Sequence, residues 1–400
     1  MEPLEIVHFN DVYELEESIG GKGPARFCTA LRASSLSPLL LFSGDCFSPS
    51  HSKVNSVSER YRGAHMVAVL RQLRVNCATI GNHDLDFGLD RLRELVIETG
   101  FPWVQSNLRE LGGSILGGAV QRVILQWQGW RVGLLGLAEA EWLDILGACD
   151  KELVYEDFCQ AASREAKQLR AEGCDLVVAL THMRLNNELL LAERCSEVDL
   201  ILGGHDHLSR AELHCDCPVI KSGSDFEELT VIRVCKTPAA HPGRRGLFFS
   251  WVKVPITTAV PSDPEMQAIV LRFSGERVKT RVLAHFAEPL DCRFATIRSQ
   301  ESAIGNLLSD VVRTHFSCDV ALINSGHIRL NGLIPAGEFT EQDLRTLLPV
   351  EDDLCWVRLS GTHLLRALEE GVSKLPALEG RFPMLSGVRL LLDLAQSPRM

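Results

Sequence analysis

The 400-residue chain has no run of about 18 apolar residues, so the sequence predicts no membrane-spanning helix. Its first residues, MEPLEIVHFND, carry no basic stretch and no long apolar segment, so no secretory leader is expected there. Positive charge is scarce: 41 Lys and Arg against 52 Asp and Glu leave a net charge of −11. That deficit argues against broad electrostatic capture of a nucleic acid polymer or an anionic membrane. An anionic ligand must instead be drawn by local cations, either metal ions or a few arginines. The 13 cysteines are an odd number without disulfide-like rhythm, which points to reduced thiols and a cytoplasmic chain. Their densest group, His214-Cys215-Asp216-Cys217, lacks a second ligand pair at zinc-site spacing. With 46% hydrophobic and 23% charged residues, a disordered or fibrous protein is excluded, and the length allows two or three domains.

The first half alternates strand-like apolar runs with amphipathic helical patterns. Strands are expected at Leu4–Phe9, Leu39–Phe42, Asn76–Ile80, Trp103–Gln105, Val132–Leu137, Leu176–Leu180 and Leu200–Leu202. Helices are expected at Pro24–Ala33, Ala64–Leu73, Leu89–Thr99 and Phe158–Ala171, from apolar residues spaced three and four apart. This order implies a layered α/β sandwich with a partly parallel sheet. Thr237–Gly246 reads as an exposed loop and Leu247–Ile256 as a strand. The polar amphipathic Glu265–Lys279 reads as a connecting helix. A second unit then has helices at Ile304–Thr314 and Thr362–Val372 and strands at Val320–Ile323 and Leu354–Leu359. The expected division is 1–262, a connector over 263–281, and 282–400.

Five strands of the first half run into polar, metal-capable residues. Leu4–Phe9 leads to Asn10-Asp11-Val12-Tyr13, and Leu39–Phe42 to Ser43-Gly44-Asp45. Asn76–Ile80 leads to Gly81-Asn82-His83-Asp84-Leu85-Asp86-Phe87-Gly88. Leu176–Leu180 leads to Thr181-His182, and Leu200–Leu202 to Gly203-Gly204-His205-Asp206-His207. The carboxyl ends of strands in open α/β sheets gather at one edge, where ligands bind. Taken singly, each cluster is an ordinary turn, cap or surface histidine. Five in succession at the same strand ends point to one polyvalent site.

This series resembles the signature of the calcineurin-like metallophosphoesterases, in their 5′-nucleotidase branch. Glu301-Ser302-Ala303-Ile304-Gly305-Asn306-Leu307 and Asn324-Ser325-Gly326-His327-Ile328-Arg329 are similar to motifs of the 5′-nucleotidase C-terminal domain. The resemblance implies a four-layered α/β sandwich followed by a smaller α/β substrate-binding domain. It implies two divalent ions (Mn, Zn, Co, Fe or Mg), one on Asp11, Asp45 and His207, the other on Asp45, Asn82, His182 and His205. Carboxylate, amide oxygen and imidazole suit such ions, and a pair of them activates water and stabilises charge at phosphorus. His83 and Asp86 match the family's catalytic dyad, although Asp86 also fits as a cap for the helix beginning near Gly88. Arg298, Asn324 and Arg329 match positions that bind substrate. The implied activity is hydrolysis of a small phosphate monoester, foremost a nucleoside 5′-monophosphate in nucleotide catabolism.

The pattern breaks in four places. Tyr13 stands where most members carry a metal-binding histidine, and a neutral phenol is a poor ligand. Similar Asp-Val-Tyr variants include phosphatases of sugar phosphates such as mannosylglucosyl-phosphoglycerate. Leu348-Pro349 is followed by Val350, where nucleotide-specific members place a base-stacking Phe, and Phe382 reads as a core residue. His327 replaces a usual glycine, narrowing the pocket, and the C-terminal domain reads as shortened. Alternatives are therefore a sugar-phosphate or phosphoglycerate phosphatase, a phosphodiesterase, or, in another class, a non-catalytic binding protein or truncated isoform.

Overall fold

The computed structural model describes residues 2–15, 22–48, 61–145, 153–236, 244–274, 281–348 and 354–393. They form two compact units, the first running to Ser274 and the second beginning at Arg281.

The first unit contains two six-stranded sheets. One orders its strands as β14 (Leu247–Pro255), β13 (Glu228–Lys236), β1 (Leu4–Phe9), β2 (Leu39–Phe42), β3 (Cys77–Thr79) and β4 (Trp103–Val104). The other orders β11 (Ser209–His214), β12 (Cys217–Ser222), β10 (Leu200–Gly203), β9 (Leu176–His182), β7 (Trp130–Ala138) and β6 (Arg122–Trp127). A short ribbon pairs β5 (Leu108–Glu110) with β8 (Leu153–Tyr155). Strands β1 to β4 are mutually parallel, and so are β7, β9, β10 and β12; β13, β6 and β11 pair antiparallel at the margins.

Period-two burial explains the layering. Leu4 and Ile6 of β1, Leu39 and Leu41 of β2, and Val178 and Leu180 of β9 fill the core between the sheets. The alternate residues Phe9, Leu40 and Phe42 pack instead against helices Pro24–Ser34, Ala64–Leu73 and Leu89–Thr99. On the far side, Val177 and Ala179 meet helices Phe158–Ala171 and Leu185–Arg194. Helix, sheet, sheet and helix make four layers, the expected sandwich. Strands parallel and buried on both faces read as continuous apolar runs, which is why β1, β2, β9 and β10 were visible in sequence. Strands β6, β11 and β13 were not, because many of their residues are only partly buried or exposed and their pattern is mixed, and β12, though buried throughout, is interrupted by Lys221.

Helix Pro264–Ser274 is built into the first unit. It packs on helices Pro24–Ser34 and Ala64–Leu73 and buries Met266 and Val270 in their core. The expected connector Glu265–Lys279 therefore begins as core, and residues 275–280 lie outside the described residues, as do 237–243 of the expected loop.

The second unit is a smaller α/β assembly of antiparallel pairs: β15 (Val282–Phe286) with β19 (Gly337–Thr340), β16 (Leu290–Asp291) with β18 (Leu333–Ile334), and β17 (Ala321–Asn324) with β20 (Pro383–Ser386). Its helices start at side-chain caps: Ser302 for Ala303–Phe316, a Thr340/Asp343 capping box for Glu341–Leu347, and Ser360 for Gly361–Val372. Ile297, Ile304, Ile328, Phe339 and Met384 form the core, and Phe382 is buried as expected. Leu354–Leu359 departs from expectation. Its alternating pattern suits a strand, but no described strand pairs with it, and Leu354, Trp356, Val357 and Leu359 are exposed. No disulfide joins any of the twelve described cysteines, and no described helix is long and apolar enough to cross a membrane.

His65, buried in helix Ala64–Leu73, gives the first unit a pH dependence. Desolvation pushes its pKa from 6.5 down to about 4. Between those values the unfolded chain binds a proton that the folded chain refuses. Stability is thus full above pH 6.5 and falls as pH drops toward 4, by roughly 3 kcal/mol from this residue. His65→Leu should raise the urea midpoint relative to the parent chain at pH 4.5 far more than at pH 7.5. An equal difference at both pH values would show that the imidazole is not responsible.

Candidate metal centre

Five parallel strands deliver the site. Asp11 follows β1, Asp45 follows β2, Asn82 and His83 follow β3, His182 ends β9, and His205 and His207 follow β10. The two sheets are tied together beneath them. His8 lies within hydrogen-bond distance of Ser43 Oγ and Ser222 Oγ, both at 2.9 Å, and Ser43 Oγ donates to the Leu202 carbonyl at 2.7 Å. The loops are then locked to each other: Asp11 N–H donates to Gly44 O, Val12 N–H to Asp45 O, and Asp225 N–H to Asp11 O.

The backbone bends sharply to aim these groups. Asp11, Asp45, His205 and His207 all have positive φ (52°, 63°, 85° and 56°), a region non-glycine residues rarely occupy. Such strain concentrates where side-chain direction matters more than backbone comfort. Gly81 is required by closeness: a Cβ there would lie 2.1 Å from Asp45 Oδ1.

The donor atoms converge. His182 Nε2 lies 3.1 Å from Asp45 Oδ2 and 3.9 Å from Asp11 Oδ1. His205 Nδ1 and Asn82 Oδ1 are 2.9 Å apart, and His207 Nε2 is 3.4 Å from Asp11 Oδ1. His205 N–H donates to Asp11 Oδ2 at 2.9 Å. Tyr13 Oη donates to Asp11 Oδ1 or Asp45 Oδ2, both at 3.0 Å, and sits 3.1 Å from His207 Nε2. Asp11, Asp45 and His182 by themselves form a buried group of metal-holding geometry.

Two features fit this cluster to a cation. His182 Nδ1 faces the Ser43 carbonyl at 2.7 Å, so Nδ1 carries a hydrogen and directs Nε2 inward, where this buried atom meets only the Asp45 and Asp11 carboxylates and makes no hydrogen bond of good geometry. Burial works against charge on His182, yet the Asp45 and Asp11 carboxylates outweigh it and lift its pKa to about 10. Without a metal, a proton stands where the carboxylates call for positive charge. Burial likewise opposes ionisation of Asp11 and Asp45, but the histidines hold both below the usual carboxylate range. Tyr13 is driven the other way: burial and the two carboxylates push its phenol well above its ordinary pKa, so it stays protonated.

His83 and Asp86 meet at 3.0 Å, Nδ1 to Oδ2. Burial opposes a charged ring, while Asp45 and Asp86 raise its pKa to about 9. The His83 N–H donates to Asp45 Oδ1 at 2.8 Å, holding this pair beside the cluster. Asp86 does not cap the following helix: Gly88 is the cap residue of Leu89–Thr99, with no side-chain cap bond.

Three residues that support the site escaped the sequence reading. Asp84 accepts from four backbone N–H groups, those of Asp45, Cys46, Phe47 and Gly81, at 2.8–3.0 Å. Glu139 follows β7 at the same edge, 3.3 Å from His205 Nε2, and accepts from Arg184 N–H and Asn187. Its position after a strand was the available signal, but neither Asn nor His accompanies it. Lys221, a lone charge within an apolar strand and 1% exposed, bonds the Met183 and Gly204 carbonyls and pairs with Glu188 and Asp206. It clamps the chain beside His182 and His205.

Residues 282–400 match the family described as 5′-nucleotidase, C-terminal domain. The chain is 24% identical to a Homo sapiens 5′-nucleotidase over 378 residues, 84% of this chain and 64% of that protein's length. It is 24% identical to a Naja atra snake venom 5′-nucleotidase over 451 residues, covering 99% of this chain and 83% of that one. A Thermus thermophilus 5′-nucleotidase precursor superposes with a TM-score of 0.74 at 24% identity, over 99% of this chain and 83% of its own. The chain has the two-domain α/β fold of the 5′-nucleotidases.

Within residues 282–400, Arg298 lies 3.7 Å over the Phe294 ring and donates to Leu378 O at 3.2 Å. Its pKa is lowered by burial and then by the positive charge of Arg329. Asn324 ends β17, and its amide donates to Gly380 O at 3.4 Å. His327 belongs to a short turn, Ser325–His327. Pro349 and Val350 lie outside the described residues. His214 pairs with Glu193 at 2.9 Å, while Cys215 is exposed and Cys217 buried, so these residues gather no zinc site among the described residues.

Asp84 is the most consequential of the supporting residues for stability. Asp84→Ala leaves four backbone donors without their acceptor, each costing about 1–3 kcal/mol when buried. The expected loss is at least about 3 kcal/mol in urea unfolding at pH 7, with reduced metal content in the purified chain. Unfolding at the parent midpoint would show that the loops hold themselves.

Proposed function

We propose that the chain is a metal-dependent hydrolase of phosphate monoesters whose substrate is a nucleoside 5′-monophosphate. One observation carries the reading: ligand-capable side chains from five strand ends in two sheets converge, with the buried His182 Nε2 directed at two carboxylates. Asp45, Asn82, His182 and His205 are the residues that would hold a divalent ion, with Asp11 and His207 beside them. When bound there, such an ion supplies Lewis-acid attraction for phosphate oxygens and acidifies water.

The chain's own side chains account for proton and charge handling. Asp86 orients the His83 ring, and His83 carries the proton needed by a departing ester oxygen. Arg298 and Arg329 are the cations of the second unit that would meet the ester, since a planar guanidinium matches phosphate or sugar oxygens. Asn324 is read as a substrate contact of the same unit. In a chain with a net charge of −11, such local positive groups are what an anionic ester can find. The names of the relatives favour a nucleotide. Val350, in place of an aromatic ring, favours a sugar phosphate or phosphoglycerate as the second reading.

The test is phosphate release by metal-stripped chain reloaded singly with Mn²⁺, Zn²⁺, Mg²⁺ or Co²⁺. The panel holds AMP, UMP, a sugar phosphate, a phosphoglycerate and bis-p-nitrophenyl phosphate. Turnover should require metal, cease with EDTA and disappear in Asp45→Asn. His83→Ala should lower kcat by about 10²–10⁴-fold while metal content is retained. Release that survives both EDTA and Asp45→Asn would overturn the proposal.

A further inference from the structure

The ligand-capable side chains fall into two groups by what faces them. Around His182 Nε2, the donor atoms are aimed inward by bonds made on their outer sides. His182 Nδ1 is taken by the Ser43 carbonyl, and His205 Nε2 faces Glu139. That leaves His182 Nε2, His205 Nδ1, Asn82 Oδ1 and Asp45 directed inward, with His182 Nε2 3.1 Å from Asp45 Oδ2.

The other group has a different centre. Asp11 Oδ1, Asp45 Oδ2 and His207 Nε2 lie 3.0, 3.0 and 3.1 Å from a single atom, the hydroxyl oxygen of Tyr13. A phenol has one proton to donate and lone pairs to accept with. It can give that proton to a carboxylate while accepting from His207 Nε2–H, using the same atoms that would have to face an ion. The phenol cannot swing aside cheaply. Tyr13 is 2% exposed, and its N–H donates to Asp225 Oδ1 at 3.2 Å. Asp11 and Val12 before it are bonded to Gly44 and Asp45. A second divalent ion in this position must displace a packed aromatic ring and break the hydrogen bond its hydroxyl donates to one of the two carboxylates.

We propose that this chain holds one divalent ion rather than two: Asp45, Asn82, His182 and His205 form the ion site, and the Tyr13 hydroxyl fills the place between Asp11, Asp45 and His207. The inference rests on the metal-dependent reading above, but concerns how many ions the chain takes.

The test counts ions without relying on turnover. The full chain is stripped with chelator, reloaded with excess Mn²⁺ and desalted. Metal per chain is then measured by mass spectrometry, and the spin state by electron paramagnetic resonance. The parent chain should hold one Mn²⁺ with the spectrum of an isolated ion. Tyr13→Phe, which keeps the ring and loses the hydroxyl, should also hold one. Tyr13→His, which exchanges the ring for a smaller ligand, should hold two and show the broadened spectrum of a coupled pair. Two ions in the parent chain, or none, would overturn the inference whatever the variants do. Two ions with chelator-sensitive phosphate release would overturn this inference and leave the proposed function standing. One ion with no release from any ester would do the reverse.

Discussion

The site depends on keeping a negative charge at Asp45, a side chain that is 1% exposed. Burying a carboxylate is costly unless it is paired and hydrogen-bonded, and three different elements meet that demand. His182 from the second sheet faces Oδ2, Tyr13 from the loop after β1 bonds the same oxygen, and the backbone of His83 after β3 bonds Oδ1. The left-handed turn at Asp45 is held in turn by Asp84, whose carboxylate takes the N–H groups of the next two residues as well. Two facing sheets, four parallel strand ends around a fifth, and a run of strained residues all serve one buried charge.

The same charge sets the behaviour of its neighbours. His182 and His83 are pulled toward their protonated forms although both are largely buried, because Asp45 is close to each. Tyr13 is pushed away from ionisation by the same field. Positive groups are thus created locally in an acidic chain, at the one edge where the parallel strands end. A phosphate ester approaching this edge meets imidazolium and any bound cation, and the bulk net charge matters little at such range because salt screens it within about 10 Å.

The second unit is organised differently. Its sheets are two-stranded, its core is small, and three capped helices carry much of its order. Arg298 is held against Phe294 and feels the positive charge of Arg329, with no carboxylate partner among the described ion pairs, an arrangement that favours an anion. The exposed Trp356 and Val357 lie in a segment with strand-like sequence and no described strand beside it.

Much was legible before any coordinates. Continuous apolar runs located β1 and β2, and apolar residues three and four apart located helices Ala64–Leu73, Leu89–Thr99 and Phe158–Ala171, all at their observed bounds, because burial leaves its mark in the chain. Asp11, Asp45, Asn82, His182, His205 and His207 were visible as polar residues after apolar strands. Glu139, Asp84 and Lys221 were not, since each acts through a partner distant in sequence or through backbone groups that leave no mark on composition. The sequence by itself determined which side chains are available at which strand ends. Only the tertiary structure decided that both sheets present those ends at one point, that Asp86 bonds His83 rather than a helix terminus, and that the Tyr13 hydroxyl lies between Asp11, Asp45 and His207. Where strands lie along the chain is local information carried by burial, whereas convergence depends on how two sheets pack, and packing is set by contacts among residues about two hundred positions apart, such as Asp11 and His205 or His8 and Ser222.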